Sequence, residues 1–233
     1  MNNQMNPIIQ PRRICLRPVP ILNALFFCVV ACIAEAEQLS DTDLKNLLAR
    51  IRENPVTRAD FQEQRVIRLM NKPIVNSGRV WFQAPNKFRR EVKGNSPSLT
   101  VSDGRQLWIY YPNFKSAERY PLGKRSPLDS TIAAINSALN LENVESTFRI
   151  AATRVDNGWE LELTPRTPSM KRVFQKLTMR ISDNLQAERT DMLQPNGDRI
   201  MTTYSNQTRA PLPPSTFEFT PPPGTEISTP LGQ

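Results

Sequence analysis

Apolar positions along this chain change period, and each change marks an element. Leu44, Leu47, Leu48 and Ile51 recur at helical spacing and stop before Pro55, which predicts an amphipathic helix with one face to bury. Ser40 is placed to cap that helix. Asp43, three residues on, returns the bond in capping-box fashion, and Leu39 and Leu44 stand where a hydrophobic staple forms. Beyond Pro55 the period drops to two. Trp159, Leu161 and Leu163 alternate with Glu160, Glu162 and Thr164, and Leu177, Met179 and Ile181 alternate with Lys176, Thr178 and Arg180. That alternation belongs to half-buried strands.

Strands are predicted over Asp60–Leu69, Val75–Gln83, Lys87–Val92, Leu99–Ser102, Gln106–Tyr111 and Ser116–Leu122. A second set covers Thr147–Val155, Trp159–Thr164, Gln175–Ser182, Leu185–Met192, Arg199–Ser205 and Thr216–Thr220. Asp103-Gly104, Asp156-Asn157-Gly158 and Pro195-Asn196-Gly197-Asp198 separate them with residues that accept positive φ. The expected fold is one antiparallel meander, mostly β. A second helix interrupts it from Pro127 to Asn140, where Ser126 caps, proline takes the first position, and Leu128, Ile132, Ile135 and Leu139 form a stripe. Strand Gln106–Tyr111 is apolar both ways, with Leu107, Ile109 and Tyr111 on one face and Trp108 and Tyr110 on the other. A sheet of this size curls. Its inner side is either an ordinary core under the helices or an apolar cavity that they close.

The N-terminus follows another logic. Arg12, Arg13 and Arg17 precede an apolar run from Ile21 to Ile33, broken only by Asn23 and followed by Ala34-Glu35-Ala36. The run is shorter than the roughly 20 residues a bilayer span needs, so 1–36 is expected to be a secretory signal cut after Ala36, leaving 37–233 as a single domain. Val29-Val30-Ala31-Cys32 offers a competing lipid-attachment signal, in which Cys32 would be acylated. Cys15, Cys28 and Cys32 are the only cysteines, so the exported part has no thiol chemistry.

Composition narrows the function. The chain of 233 residues has no histidine, 8 Gly and 21 Pro. Histidine-dependent triads and histidine-ligated metals are thereby excluded, and no Gly-rich phosphate loop can be assembled. No catalytic residue, metal site or cofactor is expected. Acid pairs such as Asp41/Asp43 and Glu160/Glu162 read as helix-cap acids and a wet strand face. The net charge of +8 falls by two to +6 when the three Arg and one Glu of 1–36 are removed. The densest basic clusters, Lys87-Phe88-Arg89-Arg90 and Lys171-Arg172, are too short for a nucleic-acid groove, so no nucleic-acid partner is expected.

Five stretches taken together resemble the LolA family of periplasmic lipoprotein carriers. They are Phe61-Gln62-Glu63-Gln64, Gly78–Phe82 with Pro85–Arg89, Ser102–Pro112, Trp159–Pro165 and Phe217–Gly224. The resemblance implies an incomplete antiparallel β-barrel, a single curled sheet covered by a helical lid around a hydrophobic cavity. It implies a monomeric periplasmic carrier of acylated lipoproteins, loaded by an inner-membrane ATP-driven releasing complex and unloaded at an outer-membrane lipoprotein receptor. The cavity and lid would then be built from Leu44, Leu47, Leu48, Ile51, Phe61, Phe82, Phe88, Leu107, Ile109, Tyr111, Ile132, Ile135 and Leu139. Family members latch the lid with an arginine ahead of the Pro-x-x-Phe motif. Ala84 occupies that place here, which leaves Arg89 or Arg90 as candidate latches. Two other functions fit the same fold: a lipid-sensing regulator, and a lipid-anchored outer-membrane receptor acylated at Cys32.

Overall fold

The computed structural model describes residues 38–84, 86–122 and 144–230, all within the unit Ala36–Gln233. The expected signal segment 1–36 and the predicted helix Pro127–Asn140 lie outside the described residues. Helix α1 (Asp41–Glu53) forms where the apolar stripe predicts. Ser40 caps it, accepting from the Asp43 amide at 3.2 Å. The capping partnership differs in detail from the expected box, because the Ser40 hydroxyl also donates to the Asp43 carboxylate at 2.6 Å.

Twelve strands make one curled, unclosed sheet. They are β1 (Arg58–Val66), β2 (Ile74–Gln83), β3 (Lys87–Lys93), β4 (Ser98–Ser102), β5 (Gln106–Tyr111) and β6 (Ser116–Pro121). Then come β7 (Phe148–Val155), β8 (Gly158–Pro165), β9 (Lys176–Ser182), β10 (Ala187–Leu193), β11 (Arg199–Thr208) and β12 (Glu226–Ser228). The order is β12-β6-β5-β4-β3-β2-β1-β11-β10-β9-β8-β7. Hairpins run from β1 to β6 and from β7 to β11, and β1 joins the two halves by pairing with β11, Phe61 opposite Tyr204. The turn at Asp103-Gly104 shows how a reversal is fixed: Gly104 takes φ 91°, and the Asp103 carboxylate accepts from the Arg105 and Gln106 amides, both at 2.7 Å.

Two expectations need correction. Thr216–Thr220 is not a strand: Pro214–Phe217 forms a 3₁₀ turn and the chain then runs extended without a ladder. Pro211, Pro213 and Pro214 before it and Pro221–Pro223 after it lack the amide donors that a ladder needs. The meander is also not wholly antiparallel, since β12 adds to β6 in parallel. The Phe217/Phe219 alternation has another use. Phe217 is 2% exposed, and Phe219 sets its ring 5.8 Å from Trp108 and 5.6 Å from Tyr110. The C-terminal segment thus straps the outer face of β5, which is why that strand is apolar on both sides.

The inner face carries two packed regions. Under α1, Leu47 and Leu48 pack with Val144, Phe148, Leu161, Leu163, Phe174 and Met179 in the larger core. On β1–β3, Ala59, Phe61, Val80 and Val92 form a smaller one, flanked by Phe82 and Tyr204.

Candidate binding cavity

Cross-strand register puts one set of side chains on the inner face. Phe61 pairs with Gly78 and Tyr204, Val80 with Arg90, Phe82 with Phe88, and Glu63 with Thr202. Opposed residues in a ladder share a face, so these side chains converge. Between them lies a cavity of about 280 Å³. Phe61, Val80, Phe82, Phe88, Leu177, Met192 and Ile200 supply its apolar wall, Phe174 closes it toward the core, and Thr190, Thr202 and Tyr204 add hydroxyls. A smaller space of about 60 Å³ beneath Ile51 shares Phe82, Thr190 and Tyr204 with it.

One ion pair stands in this wall. Arg90 Nη2 lies 2.7 Å from Glu63 Oε2, the guanidinium sits 4.5 Å from the Phe61 ring centroid, and Asn76 donates to Glu63 at 3.3 Å. The charges cancel inside the wall, and the cation is further satisfied by the ring face. Burial pushes the Tyr204 phenol above its ordinary range, with Thr190 hydrogen-bonded to it, so it stays neutral. An apolar lining with a few satisfied polar groups is the pattern of a small-molecule or acyl-chain site.

The sequence candidates divide. Phe61, Phe82 and Phe88 line the cavity, and Ile51 lines the smaller space beside it. Leu44, Leu47 and Leu48 pack into the α1 core instead. Leu107, Ile109 and Tyr111 are on the inner face through the register Phe88–Ser102–Leu107 but do not line the cavity. Ile132, Ile135 and Leu139 lie outside the described residues. Arg90 is part of the cavity lining. Arg89 is on the opposite face, bound to Glu91 at 2.8 Å and to the Thr216 carbonyl at 3.3 Å, where it holds the C-terminal strap. Sequence reasoning missed Glu63, Val80, Phe174, Leu177, Thr190, Met192, Ile200, Thr202 and Tyr204. The alternation Ile200-Thr202-Tyr204 was available as a signal, but two of its three members are polar, so it carried no hydrophobic period.

Tyr120, also on the inner face by register with Leu107, donates to Glu118 at 2.6 Å. Burial, and then that carboxylate, push its phenol from 10.0 up to about 12. The unfolded chain loses this proton first, so the linked stability is complete below pH 10 and disappears as pH rises to about 12. The melting temperature is expected to fall across that window, and Tyr120→Phe to flatten part of the fall. An unchanged profile in the variant would mean that Tyr120 is not linked to folding. Tyr111, raised chiefly by burial, contributes in the same direction.

The family described as Outer membrane lipoprotein carrier protein LolA matches residues 56–220, from the start of the sheet through the C-terminal strap. The chain belongs to this family. A protein of Dechloromonas aromatica named outer-membrane lipoprotein carrier protein is 28% identical over 212 residues, covering 89% of this chain and 95% of that protein. One of the same name from Chromobacterium violaceum is 31% identical over 155 residues, covering 65% of this chain and 71% of that protein. Among solved structures, an uncharacterized conserved protein from Thermus thermophilus superposes with a TM-score of 0.50 at 16% identity, covering 80% of this chain and 99% of that one. That likeness is one of fold. Within the family match, the cavity wall from Phe61 to Tyr204 is entirely included.

Proposed function

We propose that this LolA-family chain is a periplasmic lipoprotein carrier that shelters acyl chains against the inner face of its sheet. The observation that carries the reading is the apolar cavity between β1–β3 and β9–β11, whose one ion pair is internally neutralised. Acyl chains in water cost about 0.8 kcal/mol per exposed CH₂, so a lipoprotein needs an escort between membranes. Apolar burial is non-directional, which suits cargoes that share lipid but differ in protein. The carrier takes its cargo from an inner-membrane ATP-driven complex and passes it to an outer-membrane receptor, with no covalent chemistry of its own.

At about 280 Å³ the cavity is at the small end of ligand pockets, which run from about 300 to 1,000 Å³. Loading a multi-chain lipid therefore has to spread the wall. The test is displacement of a fluorescent fatty acid by a synthetic acylated lipopeptide. Met192→Asp, which puts a charge into the wall between Ile200 and Leu177, is expected to weaken probe binding at least about tenfold, because its apolar ladder partners leave that charge unpaired. Equal affinity in wild type and variant would remove this cavity as the acyl site.

A further inference from the structure

Exposed apolar side chains lie on two connections at one end of the sheet. Leu69 is 96% exposed, Met70 50% and Phe114 78%, with Ile74 and Val75 beside them. Leu69 and Met70 are in the β1–β2 loop, and Phe114 is in the β5–β6 turn. Both connections leave the sheet at the same end, together with the β3–β4 and β10–β11 turns, because alternate strand ends meet there. Isolated exposed apolar residues mean little, whereas several large ones on the connections of one sheet end mark a contact surface.

The turns are braced. The Arg68 amide donates to Asp198 at 3.0 Å, tying the β1–β2 loop to the β10–β11 turn. Asn113 donates to the Asn95 carbonyl at 3.0 Å, tying the β5–β6 turn to the β3–β4 turn. The apolar tips are thus held out by a framework. Around them Arg65, Arg68, Lys72, Lys93 and Lys115 are exposed, against Asp198 and Glu226. The end is basic, and Asp198 is already committed to the loop.

This end is also continuous with the cavity. Ile74, Arg65, Ile200 and Met192 form one row across β2, β1, β11 and β10, and Ile200 and Met192 are cavity wall. A chain leaving the cavity past that row reaches the exposed tips.

We propose that this end of the sheet is a membrane-contacting surface, at which Leu69, Met70 and Phe114 enter the headgroup–acyl boundary of an anionic bilayer while the surrounding lysines and arginines hold lipid phosphates. This deepens the carrier reading and rests on it for its purpose: contact holds the cavity beside the membrane at which cargo is handed over, so that an acyl chain changes hosts with little exposure to water. Apolar insertion combined with basic flanks is the physics of interfacial anchoring, in which neither element alone gives more than weak, reversible attachment.

The test is co-sedimentation of protein purified from cells expressing the full chain with phosphatidylethanolamine/phosphatidylglycerol vesicles, and separately with phosphatidylcholine vesicles. Association is expected with the anionic vesicles and is expected to weaken with added salt. Leu69→Asp combined with Met70→Asp should abolish it, and Lys72→Gln should weaken it about fivefold. Fatty-acid probe affinity should be the same in all three proteins. No association in wild type, equal association with phosphatidylcholine, or variants that sediment like wild type would each overturn the proposal. Loss of cargo transfer with vesicle binding intact would instead assign the tips to a protein partner, and also overturns it. If none of the proteins binds the probe, the carrier reading fails on its own account, and the vesicle series still decides the membrane contact.

Discussion

Gly78→Ala is expected to destabilise the chain by about 3 kcal/mol, near the top of what overpacking costs. Gly78 is on β2, opposite Phe61 on β1 and Val92 on β3. A methyl group there would stand 1.8 Å from the Glu91 carbonyl oxygen and 2.9 Å from Phe61 Cε1. The ring could swing aside, but the carbonyl is backbone in the neighbouring strand. Relief therefore requires β2 and β3 to separate locally and give up ladder hydrogen bonds. For a chain of this size about 2–4 °C of melting temperature goes with each kcal/mol, so the midpoint should fall by about 6–12 °C. Phe61 is cavity wall, so fatty-acid probe affinity should fall with it. Gly94→Ala is the control: its φ is +110° and nothing lies within 4 Å, so only backbone strain of about 1–2 kcal/mol applies. If Gly78→Ala melts no lower than Gly94→Ala, the close approach of β3 to Gly78 is not a constraint on the fold.

How much of this could be read from the chain depends on whether a local rule governed the residue. The α1 stripe was legible because four leucine and isoleucine side chains all go to one buried face. The alternations at Trp159–Leu163 and Leu177–Ile181 were legible because α1 covers one side of those strands and water meets the other. Strand β12 was not legible, since Glu226–Ser228 is three exposed residues with no pattern, held by its parallel partner β6. Phe217 and Phe219 misled for a related reason. Their spacing of two matches a strand, but Phe217 is buried by position, Phe219 meets Trp108 and Tyr110 about 110 residues earlier in the chain, and the prolines on both sides decide the backbone.

The cavity was half legible. Phe61, Phe82 and Phe88 announce themselves as aromatic strand residues, and the parity of Phe88 with Arg90 put that arginine on the same face. The opposite wall comes from β10 and β11, and its placement depends on β11 pairing with β1, a contact between residues far apart in sequence. Thr190 and Thr202 are buried there by position and not by hydrophobicity. Glu63 likewise reads as a solvated strand residue until its pairing with Arg90 is seen.

Phe174 separates the stability of the core from the capacity of the cavity, and Phe174→Ala should move the two in opposite directions. The ring is 1% exposed, stacks on Phe148 at 5.7 Å and 25°, and belongs to the core that α1 covers. Its amide donates to the Met170 carbonyl at 3.1 Å, which fixes the backbone so that the neighbours cannot simply collapse into the space. Truncating a phenylalanine in such a site costs about 3–5 kcal/mol, so the melting temperature should drop by on the order of 10 °C. Phe174 is also the wall between that core and the cavity. Removing it adds volume to a space too small for a multi-chain lipid, and apolar space that stays dry favours an apolar ligand. Fatty-acid probe affinity in the folded variant should therefore hold or rise a few-fold while stability falls. Phe174→Leu, which keeps most of the volume, should lose about 1–1.5 kcal/mol and leave affinity unchanged. Calorimetry and probe titration on the same preparations give both quantities. A folded Phe174→Ala variant that no longer binds probe would make the ring part of the acyl contact itself, and a loss of less than about 1 kcal/mol would remove it from the core.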